Sequence, residues 1–218
     1  MRSFSPLRYS CTYIKRYQHT ESQTKLLPVS PRKWKSYRRF ADFMEHHHSP
    51  LQESIIHFAA SCDRNLWGIY MDSTRENLMT TGITFCRQLQ TQNQLEESRI
   101  FPYLAQRMPE FGPNSGFRRD HRRLNDSVAE LRRYLRGCLR YEEKLNLNRL
   151  GLLIHRVRTV LHTHFEKELE AVSGHNMRKY WSLEEMENVM IPSDGLKVRS
   201  VPAPERYTST SKVRYYVR

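Results

Sequence analysis

Four stretches of the chain place apolar residues at every third or fourth position, the spacing of one face of an α-helix. The first covers about 35–62 and aligns Met44, His48, Leu51, Ile55, Phe58 and Cys62. Pro50 lies inside it and predicts a kink or break near His48, because proline lacks the N–H that the preceding turn needs. The second covers about 73–108, with Leu78, Gly82, Phe85, Leu89, Gln92, Glu96 and Ile100 on one face and Pro102 bending its late part. The third, about 115–140, aligns Phe117, His121, Leu124, Val128, Leu131 and Leu135. The fourth, about 146–173, aligns Leu150, Leu153, Ile154, Val157, Leu161, His164 and Glu168, with Gly174 as the expected stop. Ser182 and Glu185 form a capping-box pattern for a short fifth helix that Pro192 closes.

No strand–helix alternation and no glycine-rich phosphate loop interrupts this pattern. The expected fold class is therefore all-α: an antiparallel, up-down-up-down four-helix bundle with a short C-terminal helix and flexible basic ends. The expected boundaries are a basic leader over 1–33, the bundle over 34–174, a C-terminal docking segment over 175–192 and a basic tail over 193–218.

Composition narrows the reading. The chain has 218 residues and is 38% hydrophobic, with a net charge of +13. Its mean hydropathy is −0.76. The charge sits at the ends, about +9 over 1–40 (ten Lys/Arg against Glu21) and about +4 over 194–218 (six against Asp194 and Glu205). The middle balances, so the basic character says little about what the helices themselves bind. The N-terminal leader resembles a mitochondrial presequence in lacking acids before Glu21. A cytoplasmic protein with a plain basic leader is the base expectation, and a mitochondrial one follows if the leader is a transit peptide. No apolar run is long enough to span a bilayer. Cys11, Cys62, Cys86 and Cys138 lie far apart and indicate neither a zinc knuckle nor a disulfide framework. KWKSYRR, with interleaved aromatics, is the one stretch suited to nucleic-acid phosphate or an anionic membrane; the arginines of RRDHRR alternate with acids and read as a solvated face.

The candidate chemistry lies on the apolar faces. His48, Gln92 with Glu96, His121 with Asn125, and His164 with Glu168 point inward from four helices, the last three pairs at i, i+4 spacing. A histidine or carboxylate turned into an apolar interior needs partners. Imidazole and carboxylate from facing helices suit iron, manganese or zinc, and Glu96 and Glu168 can each bridge two ions. The other outcome is a neutral hydrogen-bond network of the same side chains with no metal. Neither a nucleophile–base pair nor a doubled Glu-x-x-His pattern is present, so no enzymatic activity is expected. Ser98 reads as surface and Cys138 as packing.

This set, with LEESRIFPYLAQRMPEF (95–111) and HNMRKYWSLEEMENVMIP (175–192), resembles the hemerythrin-like (HHE cation-binding) family, most closely its fungal branch, over roughly residues 36–192. The resemblance implies a four-helix bundle that binds non-haem iron and, through an open position, dioxygen. By position it assigns His48, Glu96, His121, His164 and Glu168 as metal ligands. The family's second helix reads H-H-x-x-E-E where this chain has Gln92, Asn93, Gln94, Leu95, Glu96 and Glu97, and its third helix repeats histidine where Asn125 stands. An incomplete ligand set, holding one ion, two or none, is the expectation. The alternative is a metal-free helical module that binds an acidic partner through its basic ends.

Overall fold

The structure is a computed structural model in which residues 28–62, 75–189 and 191 are described. The chain divides into two units, Met1–Ser30 and Pro31–Arg218. The leader up to residue 27, Cys11, Pro192 and the basic tail lie outside the described residues.

The second unit is all-helical, with no strand among the described residues. Helix α1 spans Pro31–Ala60 and α2 spans Arg75–Leu95. A widened π-helical turn, Glu96–Ile100, leads into the short α3, Phe101–Leu104. A 3-10 turn, Pro109–Phe111, precedes α4, Gly116–Leu139. The remaining helices are α5, Leu147–Ala171, α6, Gly174–Tyr180, and α7, Leu183–Asn188. The four long helices pack in a cycle, α1 on α2, α2 on α4, α4 on α5 and α5 on α1, while α6 and α7 lie on α1.

Local chemistry sets the helix starts. Pro31 opens α1, where its missing N–H is one of the groups a helix start leaves unbonded anyway. The side chains of Ser115, Asn146 and Ser173 each accept a backbone N–H at the starts of α4, α5 and α6. Ser182 and Glu185 form the capping box of α7 in both directions.

Three local expectations change. Helix α1 is unbroken at Pro50. Two serines flank the proline and bond back along the helix, Ser49 Oγ to the Glu45 carbonyl and Ser54 Oγ to the Pro50 carbonyl, each 4 residues earlier. The second helix does not run smoothly to 108. Phe101 N–H reaches back five residues to the Glu96 carbonyl, and this widening makes room for the ring of Pro102 one residue later. Gly174 is not a helix stop, since α5 already ends at Ala171 and Gly174 is the first residue of α6. Glycine is needed there for close approach to α1: a Cβ would lie 3.1 Å from Arg38 Cγ and 3.3 Å from the Trp34 ring.

The apolar core falls into two clusters. One gathers Leu51, Ile55 and Phe58 of α1 with Phe85 and Leu89 of α2, Leu124 to Leu135 of α4 and Leu150 to Phe165 of α5. The other gathers Tyr37, Phe40 and Met44 with Ile100, Phe101, Phe111, Phe117, Val172, Met177 and Trp181. On every long helix the change from one cluster to the other falls beside buried polar residues: His47 and His48; Gln92, Asn93 and Glu96; His121; and His164 and Glu168. The C-terminal helices close the second cluster. Trp181 stacks on Tyr103 at 4.7 Å, Arg107 covers the indole at 4.6 Å, and Arg107 also bonds the Tyr180 carbonyl and the Glu185 carboxylate. Cys62, Cys86 and Cys138 are buried and free, and burial pushes the Cys62 and Cys86 thiols up to about 12. No described helix is long and apolar enough to cross a membrane.

Candidate metal centre

Each long helix delivers at least one buried polar side chain to the boundary between the two apolar clusters. His48, Glu96, His121, His164 and Glu168 all meet there, and none is more than 4% exposed. Ring contacts hold the imidazoles. His48 stacks on Phe165 at 3.7 Å, His121 stacks on Phe101 at 5.2 Å, and the His164 ring meets His121 edge-on at 4.5 Å.

Glu96 and Glu168 sit between the histidines and turn one oxygen to each side. On one side, Glu96 Oε2 lies 3.2 Å from His121 Nε2, and Glu168 Oε1 lies 3.6 Å from His121 Nε2 and 3.3 Å from His164 Nε2. On the other, His48 Nε2 lies 2.8 Å from Glu96 Oε1 and 3.6 Å from Glu168 Oε2. Gln92 Nε2 donates to the same Glu96 Oε1 at 2.7 Å.

The two sides differ in how well they are satisfied. Glu96 Oε2, both Glu168 oxygens, His121 Nε2 and both His164 nitrogens are buried without a hydrogen-bond partner. Leaving even one such group unpaired costs about 1–3 kcal/mol, and more when it is charged. A cation among them would satisfy most of the set. Glu96, His121, His164 and Glu168 each offer a ligand atom, and these atoms lie within 4.8 Å of one another. Ligand atoms about 2.1 Å from one tetrahedral ion lie about 3.4 Å apart, so closing on one ion needs the widest-spaced of these atoms to draw together by up to about 1.4 Å. Imidazole nitrogen with carboxylate oxygen is a donor set suited to iron, manganese or zinc.

Without an ion, the charges shift against one another. Burial raises the Glu96 carboxyl, but the adjacent His121 and the bonded His48 outweigh it and hold the group below the usual carboxylate range. Burial and the neighbouring Glu96 push Glu168 up. Burial lowers His121, yet the nearby Glu168 and Glu96 carboxylates overcome this and raise it to about 10. Burial and the adjacent His121 take His164 down to about 3. The metal-free centre thus keeps a proton on His121 among the acids and leaves the neutral His164 imidazole unpaired.

One group expected to face inward does otherwise, and Glu97 joins the centre beside Glu96. Asn125 accepts from Asn93 Nδ2 at 3.2 Å, so these two amides bond each other. Glu97, the neighbour of Glu96, reaches His121 as well: its Oε1 lies 2.8 Å from His121 Nδ1. Two consecutive carboxylates thereby flank opposite nitrogens of one ring. Adjacent side chains on a regular helix diverge by about a hundred degrees. The widened turn that starts at Glu96 accompanies their convergence here. The sequence signal was Pro102, six residues after Glu96. No protein-family model, no curated protein and no solved structure matches the chain.

Proposed function

We propose that the protein is a hemerythrin-like non-haem iron or other divalent-cation-binding protein with an incomplete ligand set. Its four long helices form an antiparallel, up-down-up-down bundle, a reading supported by their cyclic packing. The observation that carries the function is the cluster of buried, unpaired ligand atoms on Glu96, His121, His164 and Glu168. These four residues hold one ion. His48 bonds the far oxygen of Glu96 and orients that carboxylate; it joins the ligand set only when a second ion is taken up on its side. Bound iron would supply redox chemistry and a position for dioxygen. With fewer imidazoles than the resembled family uses, binding of the ion is the activity proposed, and neither reversible oxygen carriage nor catalysis is.

The deciding experiment is metal analysis after anaerobic loading with ferrous iron, using the His164→Ala, Glu168→Ala double variant as control. About one ion per chain in the wild type and none in the variant supports the reading. A wild-type chain that takes up no ferrous iron, manganese or zinc overturns it.

One observation favours a second reading. Gln92 and His48 both bond Glu96 Oε1, and Asn93 bonds Asn125, so the His48 side is bridged by side chains alone, as in a polar network that has replaced a metal. On that reading the bundle is a metal-free interaction module that meets an acidic partner through its basic ends. Removal of residues 1–33 and 194–218 distinguishes the two, because only the second reading loses its ligand while the helices stay folded.

A further inference from the structure

A histidine can offer only one nitrogen to an ion in this centre, and the other must be told what to do. His121 is fully buried, with Glu96 and Glu168 on its Nε2 side. Its Nδ1 meets a single group, Glu97 Oε1, at 2.8 Å. Glu97 is itself held in place. Arg118 NH1 lies 3.3 Å from Glu97 Oε2, Arg118 NH2 donates to the Glu97 carbonyl at 3.2 Å, and the guanidinium rests over the Phe101 ring at 5.7 Å. Phe101 in turn stacks on His121. Arginine, carboxylate and imidazole form one chain from the surface to the centre, with Phe101 as its floor.

We infer that Glu97 is a positioning residue: it keeps the proton of His121 on Nδ1, so that Nε2 is the nitrogen presented to a cation. This inference rests on the cation-binding reading of the same centre. A carboxylate accepts but cannot donate, so Nδ1 must carry hydrogen whenever the 2.8 Å contact is kept. When an ion displaces the ring's second proton, the lone pair falls on Nε2, which faces the unpaired Glu96 and Glu168 oxygens. A carboxylate behind a metal-bound histidine also makes the ring a stronger donor, and loss of such a partner typically weakens metal affinity about 10- to 100-fold. His164, the other imidazole of the proposed four-residue set, shows no such device and has no hydrogen-bond partner on either nitrogen. Of these two, His121 is the imidazole with an acceptor behind it.

Two variants and two readouts test this. Glu97→Ala removes the acceptor, and Glu97→Gln keeps an oxygen that can still accept the Nδ1 proton. Glu97 is about a third exposed, so both chains should fold, and circular dichroism checks that they do. The first readout uses metal-free protein with nitrogen-15-labelled histidine. The wild type should show a slowly exchanging, downfield Nδ1 proton on His121; Glu97→Ala should lose it and Glu97→Gln should retain it, shifted upfield. The second is a zinc titration in competition with a chelator. Glu97→Ala should bind about 10- to 100-fold more weakly, and Glu97→Gln should recover part of the loss. A wild-type proton found on Nε2 alone, or equal zinc affinity in wild type and Glu97→Ala, overturns the inference while leaving metal binding intact. A wild type that binds no zinc, iron or manganese overturns the metal reading, and with it the cation half of this inference.

Discussion

Gln92 Nε2 stands 2.7 Å from Glu96 Oε1, and so an N–H occupies the place where a second cation would sit. An amide hydrogen facing the site repels a metal ion, whereas an imidazole nitrogen would bind it. Gln92→His should supply the missing donor beside His48, Glu96 Oε1 and Glu168 Oε2. Iron or zinc uptake should rise from about one to about two ions per chain, as the added donor suits these metals. Unchanged stoichiometry by metal analysis would show that the His48 side cannot close around an ion.

Proton linkage gives a second prediction. In the metal-free protein Glu168 and His121 are both raised above their ordinary values of 4.5 and 6.5, His121 to about 10. A group raised in the folded state stabilises it most below its unfolded pKa and loses that contribution as pH rises through the folded value. His164, depressed to about 3, acts oppositely, but its window closes below 6.5. Between pH 6.5 and 10 the metal-free protein should therefore lose thermal stability steadily. A bound ion takes the place of the His121 proton, so metal affinity should increase over the same range, with protons released on binding. Melting curves with and without zinc test the first part, and calorimetry in buffers of different ionisation enthalpy tests the second. A flat melting temperature for the metal-free form would contradict the charge arrangement.

Gly82 offers a stability test away from the candidate metal centre. A Cβ there would collide with the Phe58 ring and come within 2.7 Å of Leu135 Cδ1, both in the well-packed first cluster. Overpacking of this kind costs typically about 1–3 kcal/mol, against the gain of up to about 1 kcal/mol that alanine brings to a helix interior. Gly82→Ala should be net destabilising by urea denaturation. Stabilisation would mean that Phe58 can rotate aside at no cost.

Arg107 ties α7 to the rest through Glu185 and through the face of Trp181. Arg107→Ala should speed amide hydrogen exchange across residues 175–189 and leave α4 and α5 unchanged. Faster exchange throughout the chain would place Arg107 in the global core instead.

The long helices were legible in the sequence because their apolar spacing is unambiguous. The same periodicity put His48, Glu96, His121, His164 and Glu168 on inward faces, and the structure brings these five side chains together. What could not be read was anything that depends on departure from 3.6 residues per turn. Glu97 reaches His121 where the turn widens at Glu96–Ile100, a contact that the apolar stripe of a regular helix does not point to. Pro50 signals a break by itself, yet α1 passes through it. The role of Gly174 depended on Trp34 and Arg38, more than 130 positions away in the chain, and no local rule announces such a neighbour. Asn125 shared the inward stripe but turns to Asn93 on the next helix, a choice between partners that a single helix does not reveal.

The separation of the hydrophobic interior into two clusters by a polar layer bears on how the chain comes apart. Contact between the halves passes through imidazoles and carboxylates that repel as readily as they attract. With no ion between them, each half is free to open on its own, and hydrogen exchange should resolve two cooperative units meeting near Leu95 and Leu124. An ion gripped from α2, α4 and α5 would act as a rivet through the middle, merging the two openings into one event and making the pace of unraveling depend on how fast the rivet is pulled.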